Sequence, residues 1–134
     1  MVRQGTPDGS GHSACEGDAL ALDNGSGLSR QEMASAHCMA RWVQVMWRDP
    51  LMPEWLASLP VAGVDGTARR MGAAIGQAHL KTGSIEGVAS IAGVVQDQAG
   101  RRWVVVAVVN DPRAPAARGV LQAVTAWAAG TAPP

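Results

Sequence analysis

Between positions 35 and 48, the apolar residues Met39, Trp42, Val43, Met46 and Trp47 recur at three- and four-residue steps, which predicts an amphipathic helix. Ser35 is placed to cap its first turn, and Asp49-Pro50 supplies a stop. A second, shorter helix is predicted from Pro53, because proline suits the first helical position; it runs through Trp55, Leu56 and Leu59 and ends at Pro60. The periodicity then dissolves, since 61–77 holds Gly63, Gly66, Gly72 and Gly76 and reads mostly as loop. Beyond it the pattern shifts to β-branched and apolar runs at 78–81, 88–97 and 102–110, which predict three strands. Gln98-Ala99-Gly100 has the length and composition of a hairpin loop, so the second and third strands should pair antiparallel. Asn110-Asp111-Pro112 breaks the last strand. Helical spacing then returns over 114–129 with Val120, Leu121, Val124, Trp127 and Ala128, and Gly130 with Pro133-Pro134 ends it. The expected order is helix, helix, loop, three strands, helix, with no internal repeat.

Residues 1–18 mix Gly, Ser, Asp and Pro without apolar periodicity and read as a disordered leader; the folded part is expected over 19–130, with 131–134 as a tail. At 134 residues the chain suits one domain or a piece of one. Eleven basic residues balance eleven acidic ones, which removes the electrostatic case for a nucleic-acid partner. The longest strongly apolar run, 103–109, is far short of the ~20 residues that cross a bilayer, so no membrane span is expected. The first twenty residues also lack the charged and apolar regions of a signal peptide. Cys15 and Cys38 have no metal-ligand spacing and no His cluster beside them, which argues against a structural zinc site and leaves a disulfide open. No cofactor is expected.

Lys81-Thr82-Gly83-Ser84 sits at the end of the first predicted strand, and Lys81 is the only lysine in the chain. It lies in the last of three ordered blocks: 23–30 (Asp-Asn-Gly-Ser-Gly-Leu-Ser-Arg), 58–67 (Ser-Leu-Pro-Val-Ala-Gly-Val-Asp-Gly-Thr) and 79–84 (His-Leu-Lys-Thr-Gly-Ser). Together with Ile91-Ala92-Gly93, the hairpin from Asp97 to Trp103 and Trp127, they make the chain resemble the D-alanyl-D-alanine carboxypeptidase/endopeptidase family of the penicillin-binding protein 4 type, over roughly 19–130. The resemblance implies an α/β (α+β) fold, part of the penicillin-recognising transpeptidase/β-lactamase-like architecture, in which helices cover an antiparallel sheet. It also implies a serine hydrolase of the periplasm or cell envelope that acts on peptidoglycan stem peptides and is acylated by β-lactams.

Carried over by position, Lys81, Thr82 and Gly83 match the family's third motif. The lysine and the hydroxyl would bind the substrate carboxylate, the glycine would admit substrate close to the backbone, and Ser84 follows on the same strand. The Gly-Ser-Gly-Leu-Ser block matches the second motif, whose serine, placed at Ser29 with Ser26 as the alternative, would relay protons. The family's Ser-x-Asn would want an asparagine where this chain has Gln31. The first motif, Ser-x-x-Lys, is absent, because the residue three before the sole lysine is Ala78. The resemblance therefore implies a C-terminal fragment that lacks the nucleophile, with 102–110 left as an unpaired strand edge prone to self-association. A non-catalytic binding remnant, or a related β-lactamase or esterase, would share every motif in view.

Plainer roles compete for several of these residues. Ser26 and Ser29 would serve as turn residues, His79 as a packed strand histidine, and Asp65 and Arg69 as ties within a loop. The five tryptophans at 42, 47, 55, 103 and 127 are expected in core and helix-to-sheet packing.

Overall fold

A computed structural model describes Cys15 and residues 20–131. The predicted leader, apart from Cys15, and the tail beyond Thr131 lie outside the described residues. Among the described residues the first elements are a two-stranded ribbon of β1 (Leu20–Ala21) and β2 (Met33–Ala34), followed by helices α1 (Ala36–Arg48) and α2 (Met52–Ala57). A three-stranded antiparallel sheet of β3 (Ala78–Ile85), β4 (Val88–Gln96) and β5 (Arg102–Asn110) comes next in meander order, and α3 (Arg118–Ala129) closes the chain. An α+β fold with helices on an antiparallel sheet results, as the motif pattern implied.

The local causes are legible in the residues. Ser35 is the N-cap of α1, its hydroxyl accepting from the Cys38 N–H at 2.9 Å, and Arg48 in the last turn complements the helix dipole. Cys38, fully buried in α1, is disulfide-bonded to Cys15, which ties the start of the chain to this helix. At the other end Gly130 takes the left-handed conformation (φ 67°), a C-terminal cap in which its N–H bonds the Trp127 carbonyl at 3.1 Å.

Strand alternation sends the two faces of the sheet to different helices. Ala78 and Leu80 of β3, Ala89, Ile91 and Val95 of β4 and Val105 of β5 point into the main core, which Leu121, Ala128 and Ala129 of α3 complete. Leu80, Ile91 and Val95 are among the largest fully buried side chains; each withdraws apolar surface worth roughly 1.5–3 kcal/mol. The opposite face carries Val94, Val104 and Arg102 and meets α1, where the Arg102 guanidinium lies 5.5 Å from the Trp47 ring centroid.

Three expectations need correction. The first strand does not stop at Lys81; it continues to Ile85, because the whole of 78–85 pairs with 88–95 around a two-residue turn at Glu86-Gly87, where Gly87 supplies φ 77°. Small and polar residues there conceal a strand whose support is the ladder itself. The segment 61–77 is not wholly loop, since Thr67–Arg70 forms a 3-10 turn, and 114–117 is also 3-10 before the α-helix proper. Not all the tryptophans pack either: Trp42, Trp47 and Trp55 are half-buried, but Trp103 is 45% and Trp127 79% exposed.

Candidate functional site

The first half of β3 is closed on its outer edge. The Ala62 N–H donates to the Ala78 carbonyl at 2.8 Å and the Leu80 N–H to the Pro60 carbonyl at 2.9 Å, so 60–62 is zipped onto 78–80. In an antiparallel strand the backbone groups of alternate residues point to the same edge. Ala78 and Leu80 turn theirs outward, so Thr82 and Ser84, of the same parity, present N–H and C=O groups to that edge beyond the point where 60–62 ends. The Lys-Thr-Gly-Ser tetrapeptide therefore begins where that cover ends, with its outer edge open among the described residues. It lies in the second half of β3, within the ladder, opposite Ala92, Ile91, Ser90 and Ala89.

Lys81 is exposed, and its Nζ donates to the Thr82 carbonyl at 2.6 Å, which folds the ammonium round toward the open edge. Among the described residues no carboxylate pairs with it, in contrast to Arg30, Arg101 and Arg113. Thr82, half-buried, donates from its hydroxyl to that of Thr67 at 2.6 Å. Gly83 stands opposite Ser90, and a Cβ there would run into the Ser90 hydroxyl. Gly93, opposite Leu80, has a stricter role: a Cβ on it would lie 3.1 Å from Leu80 Cα and closer still to the His79 carbonyl oxygen. Gly93 thus lets β3 and β4 approach next to Lys81.

Ser26 and Ser29 lie between β1 and β2. Each hydroxyl accepts from a backbone N–H two residues on, Ser26 from Leu28 at 3.2 Å and Ser29 from Gln31 at 3.1 Å. Both serve as turn residues, but Ser29 is half-buried and Ser26 exposed. The neighbouring Arg30 reaches Glu86 at 3.3 Å, which fastens this loop to the turn that follows β3. The loop between β1 and β2 thus touches the turn that ends β3 through one exposed ion pair. The plainer roles hold elsewhere: Asp65 accepts from the Val61 N–H at 2.6 Å, Arg69 bonds the Val64 carbonyl at 3.2 Å, and His79 Nδ1 is 3.2 Å from the Leu56 carbonyl.

Sequence reasoning missed Thr67 and Ser90 as neighbours of the tetrapeptide. Thr67 ends the quoted 58–67 block, so its position was in view, but its contact with Thr82 joins residues fifteen apart and leaves no local pattern.

Helices on an antiparallel sheet, with a Lys-Thr-Gly sequence on an edge strand and no carboxylate paired with its lysine among the described residues, make up the α+β arrangement that the comparisons with known proteins match. The chain belongs to the D-Ala-D-Ala carboxypeptidase 3 (S13) family, whose model matches residues 13–131. It is similar to a D-alanyl-D-alanine carboxypeptidase from Actinomadura, 40% identical over 84 residues that cover 57% of this chain and 16% of the relative. It also resembles the D-alanyl-D-alanine carboxypeptidase DacB of Haemophilus influenzae, 30% identical over 94 residues, 66% of this chain and 20% of that protein. The crystal structure of penicillin binding protein 4 (dacB) from H. influenzae superposes with a TM-score of 0.61 at 24% identity, covering 79% of this chain and 26% of that one. The same protein complexed with a novel β-lactam gives 0.64 at 26% identity, covering 79% and 27%. The chain spans a fifth or less of the length of these two curated relatives. Among the described residues no helix is long and apolar enough to cross a membrane.

Proposed function

We propose that this chain forms the substrate-binding wall of a serine-type D-Ala-D-Ala carboxypeptidase/endopeptidase acting on peptidoglycan stem peptides, and that a Ser-x-x-Lys nucleophile comes from a segment outside these 134 residues. The observation that carries the reading is Lys81: a cation without a carboxylate partner among the described residues, held beside outward-facing backbone groups on an open strand edge. An extended peptide laid along Thr82 and Ser84 would pair with those groups as an added strand. Its C-terminal carboxylate would take a charge-assisted hydrogen bond from the Lys81 ammonium, and the linked hydroxyls of Thr82 and Thr67 would leave one O–H as a second donor. Gly83 keeps that stretch free of a side chain.

Ser29 is the preferred proton-relay residue, because it is partly shielded and its neighbour Arg30 is fastened to the turn after β3. β-Lactams are proposed ligands of the same edge, supported by the H. influenzae relative that was solved with one. The Cys15–Cys38 disulfide supports an oxidising location such as the periplasm or cell envelope. The lack of Ser-x-x-Lys within the chain favours a second reading, a non-catalytic module that binds peptidoglycan peptides or a partner protein through the same edge.

Both readings require a carboxylate receptor. Titration of the chain with an N-acylated L-Lys-D-Ala-D-Ala peptide, followed by NMR, should show preference for the free acid over its C-terminal amide. Lys81→Ala should remove that preference, a change of roughly ten- to a hundred-fold if a charged hydrogen bond is worth ~1.5–3 kcal/mol. Equal binding of acid and amide by the unmodified chain would sink the proposal.

A further inference from the structure

Next to the tetrapeptide stands a hydroxyl that neither the family motif nor the sequence pattern singled out. Thr67 opens the 3-10 turn Thr67–Arg70, and its Oγ1 is 2.6 Å from that of Thr82. Its side chain does not cap the turn, whose preceding residue is Gly66 with φ 49°. The turn is held in place by other groups. Gly66 packs so closely on Pro60 that a Cβ would lie 3.0 Å from the proline Cγ. The Gly63 N–H bonds the Ala68 carbonyl at 3.0 Å, and the Asp65 carboxylate holds the Val61 N–H. This is the stretch whose first residues are zipped onto β3, so Thr67 is fixed relative to Thr82 by the backbone on both sides.

From this geometry we propose that Thr67 is a positioning residue for carboxylate recognition; the inference rests on the reading of Lys81 and Thr82 given above and deepens it. Two hydroxyls in contact hold two protons and share one of them, whichever way the link runs. One O–H is left over. With Thr82 donating to Thr67, the free proton belongs to Thr67; with the link reversed, it belongs to Thr82. Either arrangement offers an anion at the open edge one hydroxyl donor beside the Lys81 ammonium, and the shared bond polarises that donor. Thr67 also restrains the rotor of Thr82, so less orientational freedom is lost when the carboxylate docks.

The chain and its Thr67→Val, Thr67→Ala, Thr67→Ser and Lys81→Ala variants are titrated by NMR with the N-acylated L-Lys-D-Ala-D-Ala peptide and with its C-terminal amide. The readout is the ratio of the two affinities, which a general loss of packing would leave unchanged. Thr67→Val should lower the acid-over-amide ratio about two- to tenfold, the span of one neutral hydrogen bond. Thr67→Ala should do the same, and Thr67→Ser should restore the ratio. Thr67 is exposed, so truncation to Ala leaves no cavity to unfold the chain. A ratio unchanged in Val and Ala but abolished in Lys81→Ala would overturn the role of Thr67 and keep the site. A ratio unchanged in Lys81→Ala as well would overturn the carboxylate receptor itself.

Discussion

Asp97 accepts four hydrogen bonds in the loop between β4 and β5. Its Oδ1 takes the N–H groups of Ala99 (2.9 Å) and Arg101 (2.8 Å), and its Oδ2 takes Arg101 Nε (2.7 Å) and Trp103 Nε1 (3.0 Å). These bonds, the Trp103 indole first and the Arg101 groups after it, lower its pKa from the ordinary 3.8 to about 2 against the opposing effect of desolvation. A carboxylate whose folded pKa is depressed contributes stability that is fully present above 3.8 and is lost as the pH falls through about 2. The difference in thermal midpoint between the chain and Asp97→Asn should therefore be largest above pH 4 and shrink as the pH drops through the interval from 3.8 to about 2. A difference that stays constant across that interval would show that the charge of Asp97 is not what fastens the loop. At this scale the sequence was informative where a residue is rare: Lys81 stood out as the one lysine. It was silent where a common residue gains its role from long-range contacts. Asp97 reads as the end of a strand, and only the fold brings Trp103 back across the turn to it.

The helices were legible as elements because α1 and α3 each bury one stripe, and their caps, Ser35 and Gly130, lie in the sequence where they lie in space. β4 and β5 were legible through their valine runs. β3 was only half legible, because its second part is the Lys-Thr-Gly-Ser tetrapeptide, whose lysine and glycine are depleted in strands. What keeps that part a strand is pairing with β4, and this pairing tolerates little change at Gly93. In Gly93→Ala the added methyl meets backbone atoms of His79 and Leu80, which cannot rotate away as a side chain would. The strands must separate locally at a cost of roughly 1–3 kcal/mol, the usual range for overpacking. That corresponds to a fall of at least ~4 °C in midpoint for a domain of about 100 residues. The displaced strand next to Lys81 should also lose its preference for the free-acid peptide. An unchanged midpoint, measured by circular dichroism, would contradict the close approach assigned to this glycine.

Taken whole, the described chain forms a sheet with unequal edges. β3 is half covered by 60–62, whereas β5 pairs with β4 alone among the described residues and exposes Trp103 and Val108. An edge of this kind invites a further strand, either from another segment of polypeptide or from a second copy. The resemblance implied the uncovered side of 102–110, but the cover that 60–62 gives to β3 was not foretold, because 61–77 reads mostly as loop. The relation of Ser29 to the tetrapeptide was not foretold, because it depends on an ion pair between Arg30 and Glu86, far apart in the chain.

The alone-versus-completed comparison tests this picture. The isolated chain should form no covalent adduct with a fluorescent penicillin, because it contains no Ser-x-x-Lys. Fusion or co-expression with a family segment that carries the motif should restore acylation, with the nucleophile from the added segment and the carboxylate receptor from this one. Groups that act as a unit fail together, so acylation of the completed protein should depend on Lys81. Lys81→Ala should slow it roughly ten- to a hundred-fold, the kinetic equivalent of ~1.5–3 kcal/mol for a charged hydrogen bond made mainly in the transition state. Ser29→Ala should also slow it, and Ser26→Ala should matter less, since Ser26 is the more exposed of the two. The measurement is the second-order rate constant of penicillin acylation for each variant. Undiminished rates in Lys81→Ala would remove the tetrapeptide from the mechanism, and a larger loss at Ser26 than at Ser29 would move the proton relay three residues back. A stoichiometric adduct on the chain alone, found by intact mass, would place a nucleophile among residues that no Ser-x-x-Lys marks.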